Sequence, residues 1–390
     1  MKRKTLSRRG WLSVLGAAAA GSCVFSANHL RAVERDEGYG AAPEGASLND
    51  IAARQGLFYG SCAGYRRLST DPGYQRVFAN QCGLLVPESE LTWEILRPTL
   101  DSYNFAPADW LFRFTQQHAL KFRGHALVWH NGLPPWFESE VDPANAREIL
   151  LEHIAKVVGR YSGNMQSWTV VNEAIFPDDR RSDGLRNSPW LRLLGTAHIE
   201  IAFRAAAKAD PHALLMWNEN WVEEETADGE ARRSFFLQHL RSLLVKNVPI
   251  HAIGIQAHLL GNHTNIAGPQ FARFLRQAGE LGLKIMVTEL DVRDFALPAA
   301  IAARDRIVAE TYEHFLSVVL AEKATVGVLT WGLTDKYTWV ATANPRGDKA
   351  PVRPLPLDSD MNPTPAWFAV ARAFKKAPYR NAGAVAQLRL

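Results

Sequence analysis

Cysteine is scarce, three in 390 residues, which is too few for a scaffold built on disulfides. Long apolar runs are scarcer. The longest, from Trp11 to about Phe25, is too short and too rich in Ala and Gly to span a bilayer comfortably. No low-complexity tract or internal repeat is present, and 47% apolar with 22% charged residues is an ordinary globular balance, so collagen-like, disordered and multi-span membrane classes are excluded. Surplus charge is also missing from the body of the chain. The formal charge is +4, but Lys2, Arg3, Lys4, Arg8 and Arg9 lie in the first thirty residues with no acid among them, and the remainder sums to −1. A body so nearly neutral has no track for phosphates, and no nucleic-acid partner is expected.

What is present begins with the amino terminus. A basic start, a short apolar stretch and the small residues Ser26 and Ala27 form an export signal over residues 1–30. Within it, Ser7-Arg8-Arg9-Gly10-Trp11-Leu12 resembles a twin-arginine signal, implying a periplasmic or extracellular enzyme. Cys23 offers a weak lipoprotein box, the one membrane attachment the sequence suggests. Residues 31–47 read as a linker, 48–377 as a single catalytic domain and 378–390 as a tail. Cys62 and Cys82 remain after the signal. One disulfide is open to them, but their placement near opposite ends of adjacent strands puts them beyond the roughly 7 Å that bridged Cα atoms tolerate, so free thiols are expected.

Eight short β-like runs recur about 25 to 50 residues apart: 57–61, 84–86, 122–128, 168–171, 214–217, 252–256, 285–288 and 326–330. Helix-period stretches separate them, as in TAHIEIAFRAAAKADP from Thr196. Such alternation implies parallel strands, and eight units close into an α/β fold of the (β/α)8 TIM-barrel type. Active sites of such barrels lie at the carboxyl ends of the strands. Those ends carry Glu88 and Glu90, His125, Trp129 and His130, Asn172 and Glu173, Asn218 and Glu219, Gln256 and His258, Glu289 and Asp291, and Trp331. Trp93, Trp136 and Trp221 either flank the same mouth or belong to the core. Two carboxylates in a cleft lined by indoles suit glycosidic hydrolysis: one protonates the departing oxygen, the other attacks or shields the cationic sugar carbon. His125 and His130 raise the question of a metal, but the first strand lacks the His-x-His that barrel metal sites usually supply, so neither metal nor cofactor is expected.

These residues stand in blocks: RGHALVWH at 123–130, WTVVNEA at 168–174, GIQAH at 254–258, VTELDV at 287–292 and WGLTDKYTW at 331–339. In order and spacing they resemble the glycoside hydrolase family 10 endo-β-1,4-xylanases, from about Ile51 to Phe374. The resemblance implies retaining cleavage of internal xylan bonds, with xylan or xylo-oligosaccharides as substrate; a monomer is expected. It implies Glu173 as acid/base and Glu289 as nucleophile, with Asn172, His258 and Asp291 in support. Glu88, His125, Trp129, Gln256, Trp331 and Trp339 match its sugar-binding positions.

Departures from the family pattern bear on substrate. Ser89 and Thr92 stand where the family usually has Asn and Lys, and Gly132 where it commonly has Gln; these side chains normally grip sugars on the non-reducing side of the cut. The segment Asn218-Glu219-Asn220-Trp221 replaces an Asn-Asp-Tyr-Asn type. Two alternatives accompany the xylanase reading. One is a related retaining glycosidase with altered preference for decorated xylan, short oligosaccharides or aryl glycosides; the other is a silent barrel that only binds polysaccharide.

Overall fold

The structure, a computed structural model, describes residues 45–381. The export signal, Cys23, most of the linker and residues 382–390 of the tail lie outside the described residues. The strands are β1 (Phe58–Ala63), β2 (Leu84–Pro87), β3 (Lys121–Gly124), β4 (Met165–Asn172), β5 (Leu214–Glu219), β6 (Ala252–Ile255), β7 (His258–Leu260), β8 (Lys284–Arg293) and β9 (Thr325–Thr330). All pair in parallel, and the β6–β8 and β1–β9 ladders close the ring. β7 is a continuation of β6 on the same neighbour, offset at Gln256-Ala257, where Ala257 has φ 62. The barrel therefore has eight staves, and each of the eight expected runs lies on one of them.

Side chains alternate between the two faces of each strand. Phe58, Cys62, Leu84, Val86, Leu214, Met216, Ala252, Met286, Val326 and Leu329 form the cluster that fills the barrel interior. Their sequence neighbours, such as Tyr59, Leu85, Leu215, Trp217, Ile253 and Ile285, belong to the larger core between sheet and helices. The helix Pro269–Glu280 shows how the outer layer is specified: Pro at its start presets φ, and Phe271, Phe274, Leu275 and Ala278 recur on one buried face. Cys62 and Cys82 are buried free thiols. Cys62 pairs with Val86, four residues along from Cys82, a separation of about 13 Å in extended chain.

Glycines clear space where indoles must pack. A Cβ on Gly124 would meet Cε3 of the fully buried Trp168 at 2.0 Å. Gly124→Ala is accordingly expected to cost about 2 kcal/mol or more, because neither strand nor indole can retreat. Gly159 lies on the helix Ala146–Arg160 with nothing within 4 Å of its added Cβ, so Gly159→Ala should gain about 0.5–1 kcal/mol. Denaturant unfolding of the two variants checks this pair of opposite signs.

Candidate active site

Strand alternation alone would aim Glu289 the wrong way. In β8, Ile285 and Val287 face the helices, and a regular strand would send Glu289 after them. Between Val287 and Leu290, however, β8 advances three residues while β9 advances two. This bulge turns Glu289 and Asp291 into the barrel mouth and leaves Leu290 and Val292 in the outer core. A matching irregularity between Thr169 and Val171 precedes Asn172 in β4. Asn218 needs no such device, since it continues the inward face of Leu214 and Met216. Gly254 opposes it, and a Cβ there would lie 2.0 Å from Asn218 Oδ1.

Glu289 is 5% exposed and held on both oxygens. Asn218 Nδ2 donates to Oε1 at 2.7 Å, and His258 Nε2 reaches Oε2 at 3.2 Å. The other ring nitrogen of His258 lies 2.9 Å from Asp291 Oδ2, which also accepts the Trp339 indole N–H at 2.7 Å. Burial on its own would discharge the imidazolium, but Asp291 and, after it, Glu289 together outweigh it, and His258 is pushed up to about 10. Glu289 shows the converse balance. Burial pushes its carboxyl up, yet it lies below the ordinary glutamate range because His125, His258 and Arg123 favour the anion. His125 is itself driven down to about 4 by burial and carries no charge at neutral pH, so the effective cations are His258 and Arg123. Arg123, fully buried and bonded to Thr169 Oγ1 at 2.5 Å, is lowered by desolvation only to about 10.

Glu173 is pushed the other way. Burial raises its pKa and the charge of Glu289 adds to the rise, against a hydrogen bond from Gln256 Nε2 at 2.9 Å. Asn172 Nδ2 lies 3.4 Å from Glu173 Oε1, while Asn172 Oδ1 accepts from Asn218 at 2.8 Å and from Gln256 at 3.3 Å. His130 Nδ1 is 3.7 Å from Glu173 Oε2, but burial holds this ring down at about 3, so it stands there neutral. Two carboxyl groups thus share one mouth with their pKa values displaced in opposite directions, the separation that an acid and a nucleophile need to coexist.

Aromatic walls complete the mouth. Trp331 packs edge-on to His125 with centroids 5.4 Å apart, Trp339 likewise on His258 at 5.0 Å, and Trp129 lies 6.3 Å from His125. Other expected mouth residues serve differently. Glu88 is claimed by Arg67, whose Nη1 reaches its oxygens at 3.2 and 3.0 Å and the Tyr337 carbonyl at 2.5 Å. Glu90 accepts backbone amides of Tyr65 and Ser89. Trp93 is core, stacked on His153 at 3.6 Å, whereas Trp221 is exposed. Glu219 faces outward, since it shares the parity of Leu215 and Trp217. Arg123, Thr169 and Thr288 were not singled out from sequence; a lone Arg in an apolar strand run was the available signal for the first.

The chain's residues 47–373 match the model of glycosyl hydrolase family 10. The chain belongs to glycosyl hydrolase family 10. This family 10 chain is 32% identical over 326 residues to endo-1,4-beta-xylanase B of Thermotoga neapolitana, covering 83% of the chain and 90% of the relative. Native xylanase 10B of Thermotoga maritima superposes with a TM-score of 0.76 at 32% identity, over 85% of this chain and 98% of that one. Xylanase 10B of Thermotoga petrophila RKU-1, solved with xylobiose, matches with the same TM-score at 31% identity, over 85% and 98%.

Removing the imidazolium tests the electrostatics of this family 10 site. His258→Ala leaves Glu289 and Asp291 facing each other without their shared cation, so the acidic limb of kcat/KM should move up by one pH unit or more, and folding should lose about 3–5 kcal/mol. His258 in the wild type titrates higher folded (about 10) than unfolded (about 6.5). Its contribution is therefore full below about pH 6.5 and is lost as pH rises toward 10, at about 1.4 kcal/mol per unit. Stability measured from pH 6 to 10 should fall less steeply in the variant; an unchanged slope contradicts the assignment.

Proposed function

We propose that this family 10 endo-1,4-β-xylanase cuts internal xylosidic bonds by double displacement, with Glu289 as nucleophile and Glu173 as acid/base. The observation that carries the reading is that Glu289, held by Asn218 and His258, and Glu173, held by Gln256, meet in one mouth where burial and charge displace their pKa values in opposite directions. In the first step the Glu289 carboxylate bonds to the sugar C1 as the C1–O bond breaks, and Glu173 gives its proton to the leaving oxygen. In the second, Glu173, now anionic, takes a proton from the water that attacks C1, and Glu289 departs with net retention of configuration. Asn172, pinned through its oxygen by Asn218 and Gln256, keeps its amide N–H groups at the position of the sugar 2-hydroxyl, a contact that strengthens as the oxocarbenium-like state forms. The indoles of Trp129, Trp331 and Trp339 cover apolar sugar faces. The xylobiose complex of the Thermotoga petrophila relative supports the substrate class. Export by the twin-arginine route, with the enzyme acting as a monomer outside the cytoplasm, completes the proposal.

The non-reducing side of the cleft supports an added reading, altered preference there. Glu88 is engaged by Arg67, Thr92 Oγ1 turns back to donate to the Ser89 carbonyl at 2.8 Å, and Gly132 has no side chain. Each neutral hydrogen bond missing from a sugar is worth about 0.5–1.5 kcal/mol and each charged one about 1.5–3.

Glu289→Ala should abolish turnover of every xyloside. Glu173→Ala should spare aryl xylosides with activated leaving groups and be rescued by azide in the second step. Equal, unrescuable losses would contradict the assignment. On the non-reducing side, the double variant Ser89→Asn, Thr92→Lys should raise kcat/KM on xylotriose several-fold. Adding Gly132→Gln should cancel part of that gain, because Gly132 sits at φ 66, where a side chain costs about 1–2 kcal/mol. No gain in the double variant would show that the site has been rebuilt for another sugar.

A further inference from the structure

Glu219 ends β5 on its outward face, behind the mouth, and is fully buried. A single oxygen, Oε1, accepts three N–H groups: the Ala174 amide at 2.8 Å, the Ile175 amide at 3.0 Å and the Trp217 indole at 2.6 Å. The two amides belong to the residues that follow Glu173 directly. Glu173 itself has φ 55, a left-handed conformation that a side chain rarely adopts and that persists only where its surroundings enforce it. The Glu173 amide donates to the Asn218 carbonyl at 2.9 Å, and its carbonyl accepts from Arg186 Nε at 2.8 Å. Glu219 fixes the outgoing side of that turn. The sequence here has Glu where the family's usual segment carries Asp.

We propose that Glu219 is a positioning residue for proton transfer: by accepting the Ala174 and Ile175 amides it holds Glu173 in its left-handed conformation and aligns the acid with the leaving-group oxygen. The proposal rests on the assignment of Glu173 as acid/base. The step it serves moves the Glu173 proton to the glycosidic oxygen as the C1–O bond breaks and its electron pair stays on that oxygen. Attack by Glu289 does not depend on this turn, so slackening it burdens substrates that need protonation and spares those that do not. The ionisable groups around Glu219 are Arg186 and Glu173. Burial pushes the Glu219 carboxyl up to about 8 against the N–H groups that it accepts, and the role assigned to it is acceptance of those N–H groups, not charge.

The test is a leaving-group series of aryl xylobiosides plus xylan, run on the wild type and on Glu219→Ala, Glu219→Gln and Glu173→Ala, with thermal melting as the fold check. Glu219→Ala should lose at least 30-fold in kcat/KM on xylan and under about three-fold on the most activated aryl substrate. Glu219→Gln keeps a carbonyl oxygen for the amides, so it should stay within about three-fold of wild type throughout, with the alkaline limb of its pH profile unmoved. Equal losses of folded Glu219→Ala on all substrates, or no loss, overturn the proposal. So does a Glu219→Gln variant as leaving-group-dependent as Glu173→Ala, or one whose alkaline limb falls by a unit or more, which would make the role one of charge. Should Glu219→Ala not fold, Glu219→Gln decides by the same two readouts. If Glu173→Ala itself shows no dependence on leaving group, the acid/base assignment has failed first, and the proposal falls with it.

Discussion

Two carboxyl groups buried in one mouth cannot both be charged without a counterion, and the placement of the cations decides which one ionises. Here they stand on the side of Glu289: His258, clamped between Glu289 and Asp291, and Arg123 beneath. On the side of Glu173 the cation is Arg186, whose effect burial and the charge of Glu289 outweigh, while His130 and Gln256 are neutral. The asymmetry is self-reinforcing, because the charge kept on Glu289 raises Glu173 further. Asp291 is the hidden member of this arrangement. It is wholly buried, reaches Glu289 through His258, and is the larger of the two charges that hold a proton on that ring against burial.

The barrel serves that arrangement through small irregularities at otherwise regular strand ends. One extra residue in β8 turns Glu289 and Asp291 inward, and one in β4 precedes Asn172 and Glu173. Between them Asn218 joins the two sides, donating to both Asn172 and Glu289 and accepting from Thr288. Its seat exists because Gly254 carries no side chain. The amide network therefore couples the position of Glu289 to that of the asparagine beside Glu173, so that rigid strands rather than loops set the spacing of the two carboxyl groups.

Much of this was legible in the chain. Eight apolar runs at regular intervals gave the strand count, and the polar residues at their ends gave the mouth, because period and position on a strand are properties of sequence. Face was not always legible. Counting by twos from Ile285 puts Glu289 among the helices, and only the bulge, a matter of register against β9, reverses it. The same count does place Glu219 outward, so a position at the end of the fifth strand is not by itself a place in the mouth. The third strand reads as a run from Phe122 to Val128 but leaves its ladder after Gly124; Leu127 and Val128 still donate to the Thr169 and Val170 carbonyls, which lie beside them on β4. Arg67 claiming Glu88 joins residues twenty-one apart across two staves, a contact that no local pattern announces.

The division of protonation between the two glutamates is the claim on which the rest turns. Carboxyl 13C NMR of the enzyme labelled at glutamate Cδ, titrated in the wild type and assigned by the loss of one signal in Glu173→Gln and another in Glu289→Gln, measures it directly. The signal lost in Glu173→Gln should titrate above the ordinary glutamate range and the signal lost in Glu289→Gln below it. In Glu289→Gln, with the neighbouring charge gone, Glu173 should titrate at lower pH than in the wild type. Two ordinary values, the reverse order, or a Glu173 signal indifferent to Glu289 would contradict the account.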